Sequence, residues 1–192
     1  HNLEKKIIID QIVPNIEILL NQVKTNADQV TGIVKELRIF ARLDEDVMKK
    51  TNIHEGIDSI LLLLRHDYKD RIKIVKDYGD IPEVDCFPGR INQVLMNILT
   101  NAIQAIPGQG EIKIKTEQEK NSVKIHIKDS GAGISEENIT KICNPFFTTL
   151  GKVGLGLSFA SSIISEHGGN LEIESSVGKG SEFIIILPIS HF

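Results

Sequence analysis

The stretch Arg90 to Ala105, RINQVLMNILTNAIQA, constrains this chain more than any other. Leu95, Ile98, Leu99, Ala102, Ile103 and Ile106 recur at steps of three and four, the spacing of one apolar helical face packed on a sheet. Gln93, Asn97, Asn101 and Gln104 repeat with the same spacing and form a second, polar stripe. That stripe consists of amides, not of the Lys/Glu mixture of a solvated face. Two readings are open. The amides form a ladder tying the helix to a neighbouring loop, or their oxygens serve a hard cation such as Mg²⁺, which takes oxygen ligands and shares them with phosphate.

With 192 residues, 41% of them apolar and 25% charged, the chain has material for one good core and an appendage. The net charge of -4 argues against a nucleic-acid binder. Its longest apolar runs, 60–64 and 183–187, are far too short to span a bilayer, and no charged-then-apolar leader opens the sequence. A soluble, cytoplasmic piece without membrane contact is expected. Cys86 and Cys143 show neither metal-ligand spacing nor a disulfide framework, so both are expected to be reduced packing residues.

From Pro14 to Phe40, Ile16, Leu19, Val23, Val30, Ile33, Leu37 and Phe40 follow alternating steps of three and four, with Asn26 in the one open slot. This is a heptad seam, and a helix of that kind needs partner helices. The charged, aperiodic RLDEDVMKK reads as a linker, placing a boundary near residue 50: a stalk and linker over 1–50 and a globular domain over 51–192. The globular part is expected to hold a short strand at 52–54, a helix over 56–68 with Ile57, Ile60, Leu61 and Leu64 inward, and a strand over 72–78. After the amide-striped helix, 112–116 and 122–129 read as an antiparallel hairpin, 156–167 as a helix stopped by Gly168 and Gly169, and 171–175 with 181–188 as a last strand pair. The fold class is therefore α+β: a two-layer sandwich with three helices on one face of a mixed sheet, preceded by a long helix.

Two glycine motifs carry chemistry. Asp129 ends a strand and is followed by SGAGI, where Gly131 and Gly133 let a ligand approach the backbone and the carboxylate accepts a hydrogen bond from an amino group such as that of adenine. Alone, that pattern is also a common turn. Downstream, Gly151, Gly154 and Gly156 bring a glycine-rich loop to the start of a helix, where backbone N–H groups cradle phosphate.

In order along the chain these segments resemble the boxes of the ATP-binding core of sensor histidine kinases in the GHKL superfamily. NQVLMNILTNA is similar to the N box, DSGAGI to the first glycine box, NPFFTT to the F box, GLGLS to the second glycine box, and EHGGNLEIESSVGKGSEFIIILP to the closing strands. The seam helix ending in IFARLDE resembles the second helix of the dimerisation and phosphotransfer stalk. The resemblance implies a Bergerat-type fold, ATP and Mg²⁺ as cofactors, transfer of the γ-phosphoryl group to a histidine, a homodimer through the stalk, and a response-regulator receiver domain as partner. It further implies that Asn101 coordinates Mg²⁺, that Asn97 lies beside the triphosphate and that Asp129 binds the adenine amino group. Gly131, Gly133 and Ile134 would line the base pocket. Phe146, Phe147, Thr148, Thr149 and Lys152 would border the lid, with Gly154, Leu155, Gly156 and Leu157 at its hinge; core packing is the other reading of the two phenylalanines.

Asn97 separates two classes within the superfamily. The hydrolysing relatives, gyrase, the HSP90 chaperones and MutL, carry a water-activating Glu four residues before the metal Asn, and an amide is no base near neutral pH. The sequence therefore points to holding ATP for transfer. Other readings are a non-catalytic ATP-binding regulator and, disfavoured by Asn97, an ATPase. Some features depart from the kinase pattern. His1, followed by Asn2 and Leu3, does not look like an acceptor, so the acceptor helix is expected to be missing and the fragment not to phosphorylate itself. His54 is expected to be structural. Leu150 stands where a Lys often follows the two threonines, and Gln104 where many members place a phosphate-contacting Lys.

Overall fold

Asn52 decides where the globular part first turns helical, because its side chain accepts from the His54 N–H at 3.0 Å and closes the opening turn of a helix. The computed structural model describes residues 16, 19–20, 22–24, 47–147 and 154–190. The chain divides into two compact units, His1–Ala41 and Arg42–Phe192. Most of the heptad seam lies outside the described residues; within it Ile16, Leu19 and Val23 are exposed on helical backbone.

In chain order the elements of the second unit are β1 (Lys49–Thr51), α1 (Ile53–Leu63), α2 (Arg65–Tyr68), β2 (Ile72–Tyr78), β3 (Val84–Cys86), α3 (Pro88–Ala105), β4 (Gly110–Glu119), β5 (Ser122–Asp129), α4 (Glu136–Ile139), α5 (Gly156–Glu166), β6 (Asn170–Ser176) and β7 (Gly180–Pro188). β1 pairs with β3 in a small antiparallel sheet, and the main sheet has the order β2-β4-β5-β7-β6. Its β2–β4 pair is parallel and the others antiparallel, so the sheet is mixed as expected.

Period-two alternation gives that sheet two unlike faces. Ile112 and Ile114 of β4, Val123, Ile125 and Ile127 of β5, and Phe183, Ile185 and Leu187 of β7 are buried in one cluster with Ile57 and Ile60 of α1, Leu95, Ile98, Leu99 and Ala102 of α3, and Ala160 and Ile164 of α5. The opposite face carries Lys115, Glu117, His126, Lys128 and Glu182, joined by ion pairs such as Lys128–Glu182 at 3.1 Å. Three helices over one sheet face form the expected two-layer α+β sandwich.

α3 carries the site. Pro88 occupies its first turn, where a missing N–H leaves nothing unsatisfied. At the other end the Arg71 guanidinium donates to the Ile103 carbonyl at 2.9 Å and to that of Ile106 at 2.5 Å, closing the carbonyls that a helix terminus leaves open.

Two local expectations are corrected, and two short elements were missed. The strand expected at 52–54 lies at Lys49–Thr51, because the Asn52 cap starts the helix at Ile53, and the globular fold therefore includes residues before 51. The helix expected over 56–68 begins earlier and breaks at Leu64, whose ψ is 0; there the chain turns to bury Leu64 while Leu62 and Leu63 stay exposed. β3 and the single turn of α4 were not anticipated, since three or four residues are too short to show a period.

Candidate functional site

Asp129 continues the buried alternation Val123, Ile125, Ile127 to a position where a carboxylate stands in the core layer, 2% exposed. Burial pushes its carboxyl above the usual carboxylate range. Hydrogen bonds from the Gly131 N–H, at 2.7 Å, and from the Ser181 N–H and hydroxyl act in the other direction. An ionised Asp has about four lone-pair sites, more than the Gly131 and Ser181 groups fill. A ligand amino group would complete the set.

The turn after Asp129 is clamped from both sides. The Ala132 N–H donates to the Ala105 carbonyl of α3 at 3.0 Å, while the Ala132 carbonyl accepts from the Gly178 N–H of the β6–β7 turn at 2.7 Å. The Ile134 N–H donates to Ser175 Oγ at 2.8 Å. Gly133 has a φ of +71°, and a Cβ there would collide with the Ser176 carbonyl; one at Gly131 would collide with that of Ala105. The glycines of DSGAGI are thus demanded by backbone packing as well as by a ligand.

Asn97 and Asn101 sit half-buried on α3, and Asn101 precedes the Ala105 carbonyl by one helical turn. The Asn97 side-chain amide donates to the Gly156 carbonyl, at the first residue of α5, at 3.1 Å. Among the described residues the Asn101 side chain makes no hydrogen bond, which leaves its oxygen available to a hard cation. No cluster of three His, Cys, Asp or Glu among the described residues could hold a metal by itself, so a cation at Asn101 would draw its remaining ligands from phosphate and water. The residues present fit Mg²⁺ bound together with a nucleotide. The remaining stripe amides differ: Gln93 is 7% exposed, and the Oε1 atoms of Gln93 and Gln104 are buried without a hydrogen-bond partner among the described residues.

The base of the glycine loop is pinched. The Phe146 N–H donates to the Gly154 carbonyl at 2.9 Å, with φ of +67° at Phe146 and +71° at Gly154. Phe147 is half-buried, but Phe146 is 72% exposed, so core packing does not describe it. Leu155, Gly156 and Leu157 are half-buried, with Leu157 against the core. Thr148, Thr149 and Lys152 lie outside the described residues.

Sequence reasoning missed Ser181 and Ser175. Ser181 shares the buried parity of Phe183, Ile185 and Leu187, and a hydroxyl on such a stripe was the available signal. His54 is structural as expected: its ring stacks on Tyr78 at 4.2 Å and its Nε2 lies 2.8 Å from Thr116 Oγ1. Both cysteines are free.

The chain belongs to the histidine kinase-, DNA gyrase B- and HSP90-like ATPase family, whose model matches residues 87–191. Sensor histidine kinase ZraS of Escherichia coli (strain K12) is 34% identical over 167 residues, covering 85% of this chain and 36% of ZraS. The catalytic domain of histidine kinase ThkA superposes with a TM-score of 0.70 at 34% identity, over 76% of this chain and 99% of that one. ThkA in complex with response regulator protein TrrA gives 0.71 at 30% identity, over 88% and 50%. This chain thus spans little more than a third of the length of ZraS. These similarities bear out the resemblance to sensor histidine kinases and the fold expected from it.

Proposed function

We propose that this chain is the ATP-binding catalytic core of a two-component sensor histidine kinase. In this reading β1 and the residues after it hold Mg·ATP, and the residues before β1 belong to the dimerisation stalk and linker of a cytoplasmic catalytic region. Asp129 accepts from the adenine 6-amino group, Gly131, Gly133 and Ile134 shape the base pocket, and Asn97 and the Gly154–Leu157 segment face the phosphates. Phe147, Thr148, Thr149 and Lys152 border the lid. Asn101 would hold Mg²⁺, which supplies charge neutralisation on the phosphate oxygens when bound. A histidine nitrogen attacks the γ-phosphorus, the bond to the β–γ bridging oxygen breaks, ADP leaves, and the phosphoryl group passes on to an aspartate of a response-regulator receiver domain. Likeness to ThkA, solved with its response regulator, supports that partner.

The observation that carries the reading is the Asn97–Gly156 link: an amide, bonded to the helix behind the glycine loop, stands where hydrolysing relatives place a base. Incubation with γ-labelled Mg·ATP and a supplied acceptor-histidine stalk tests it. Acid-labile label on the stalk, matched by ADP, is expected, with little free phosphate. Rapid phosphate release without labelled stalk would mean an ATPase, and stable ATP binding with neither product would mean a regulatory module.

A further inference from the structure

Asp129 is held by a hydroxyl that is itself held by a second hydroxyl. Ser181 precedes Glu182, the partner of Lys128 across β5 and β7, so it stands buried beside the buried Asp129, whose carboxylate its hydroxyl helps to hold. Ser175 Oγ lies 3.0 Å from Ser181 Oγ and 2.9 Å from the Gly180 carbonyl oxygen. It also accepts from the Ile134 N–H at 2.8 Å. Ser175 has a single proton, which the Gly180 carbonyl and Ser181 Oγ share. Register makes the contact, since Ser175 and Ser181 are opposite one another on β6 and β7. The outcome is a linked series from Ile134 N–H through Ser175 and Ser181 towards Asp129. It begins and ends in the turn that would hold the base, although β6, the strand of Ser175, is separated from β5 by the whole of β7.

We infer that Ser175 is a positioning residue for base selection, acting through Ser181 to fix the Asp129 oxygen that meets the 6-amino group of adenine; this rests on the adenine reading proposed above. Removing the Ser175 hydroxyl takes the acceptor from Ile134 N–H and a donor from Ser181 Oγ. The Ser181 hydroxyl then regains rotation, and the base-side turn loses its bond to β6. Linked hydrogen bonds in a low-dielectric site reinforce one another, so the effect reaches the carboxylate.

The probes are ATP and purine riboside triphosphate, which lacks only the 6-amino group, titrated calorimetrically into the full chain. The parent should prefer ATP. In Ser175→Ala, ATP affinity should fall roughly three- to tenfold, the scale of one net hydrogen bond, with purine riboside triphosphate changed less than about twofold. Ser175→Thr, which keeps the hydroxyl, should restore the preference. Ser175→Cys, close in shape and a weaker donor, should behave like Ser175→Ala and covers failure of the alanine variant to fold. Equal weakening of both nucleotides would reduce Ser175 to a structural residue and overturn the inference, as would an unchanged ATP affinity. A parent that binds both nucleotides equally would instead remove the adenine reading of Asp129, a separate and recognisable failure.

Discussion

The amide of Asn97 donates to the carbonyl of Gly156 at 3.1 Å, joining the middle of α3 to the residue with which α5 begins. That bond fixes the start of the helix behind the glycine loop relative to the stripe that carries Asn101. Asn97→Ala should cost about 1 kcal/mol of stability, the net worth of one hydrogen bond, and roughly tenfold in ATP affinity. Asn97→Asp should weaken ATP further, because a carboxylate facing a carbonyl oxygen and a triphosphate is repelled by both. Calorimetry on the two variants ranks them; an aspartate variant that binds ATP better than the alanine variant would separate Asn97 from the phosphates.

Base selection should reside in Asp129. A hydrogen bond to a charged acceptor is worth ~1.5–3 kcal/mol, so Asp129→Ala should weaken ATP roughly ten- to hundredfold. GTP should bind poorly even to the parent, since guanine offers a carbonyl where adenine offers a donor. Equal affinities for ATP and GTP would take Asp129 out of the site.

The same carboxylate predicts a pH dependence. Burial raises the Asp129 pKa above its value in the unfolded chain, so its contribution to stability is present at acid pH and is lost as pH rises through the folded value. Above that value the ionised group costs stability, so the melting advantage of Asp129→Asn over the parent should grow as pH rises and close towards pH 4. ATP affinity should move oppositely. It should fall on acidification at a pH above the usual carboxylate range, because protonation removes the acceptor. A parent whose ATP affinity is flat down to the ordinary Asp range would contradict the buried, ionised acceptor.

Two glycines with nearly the same backbone angle give a sharper comparison. Gly133 (φ +71°) has the Ser176 carbonyl where a Cβ would stand, and Gly178 (φ +76°) has open space. Gly178→Ala should cost only the left-handed strain of about 1–2 kcal/mol. Gly133→Ala should cost clearly more and also reduce ATP affinity, because the turn must move off β6. Thermal melting of both variants settles the order.

What the sequence shows and what it hides follows from the range of the interactions. The spacing of Leu95, Ile98, Leu99 and Ala102 is a local property, so α3 and its amide stripe were legible, as was the β4–β5 hairpin. Asp129 was legible as a strand-end carboxylate beside two glycines. Its clamp was not, because Ala105, Ser175, Gly178 and Ser181 reach it only through strand pairing and the C-terminal end of α3. Phe146 shows the same limit: its left-handed backbone is tied by the bond to Gly154 across the loop, and nothing in NPFF specifies its 72% exposure. Arg71 reads as one more surface cation until β2 brings it under the last turn of α3.

The final prediction concerns the metal. Asn101 offers an amide oxygen with no competing hydrogen bond among the described residues, and no carboxylate cluster there could bind a cation without help. A cation held by one amide, phosphate oxygens and water should bind only with nucleotide, so Mg²⁺ without nucleotide should give no calorimetric signal. ATP should bind the parent roughly tenfold or more tightly with Mg²⁺ than with EDTA, on the scale of one charge-assisted contact. In Asn101→Ala that difference should shrink to less than about threefold, while affinity in EDTA stays near the parent's, because Asp129 and its donors are untouched. Transfer to a supplied acceptor stalk should be lost in the same variant. An Asn101→Ala variant that keeps the full Mg²⁺ effect would place the cation on other residues.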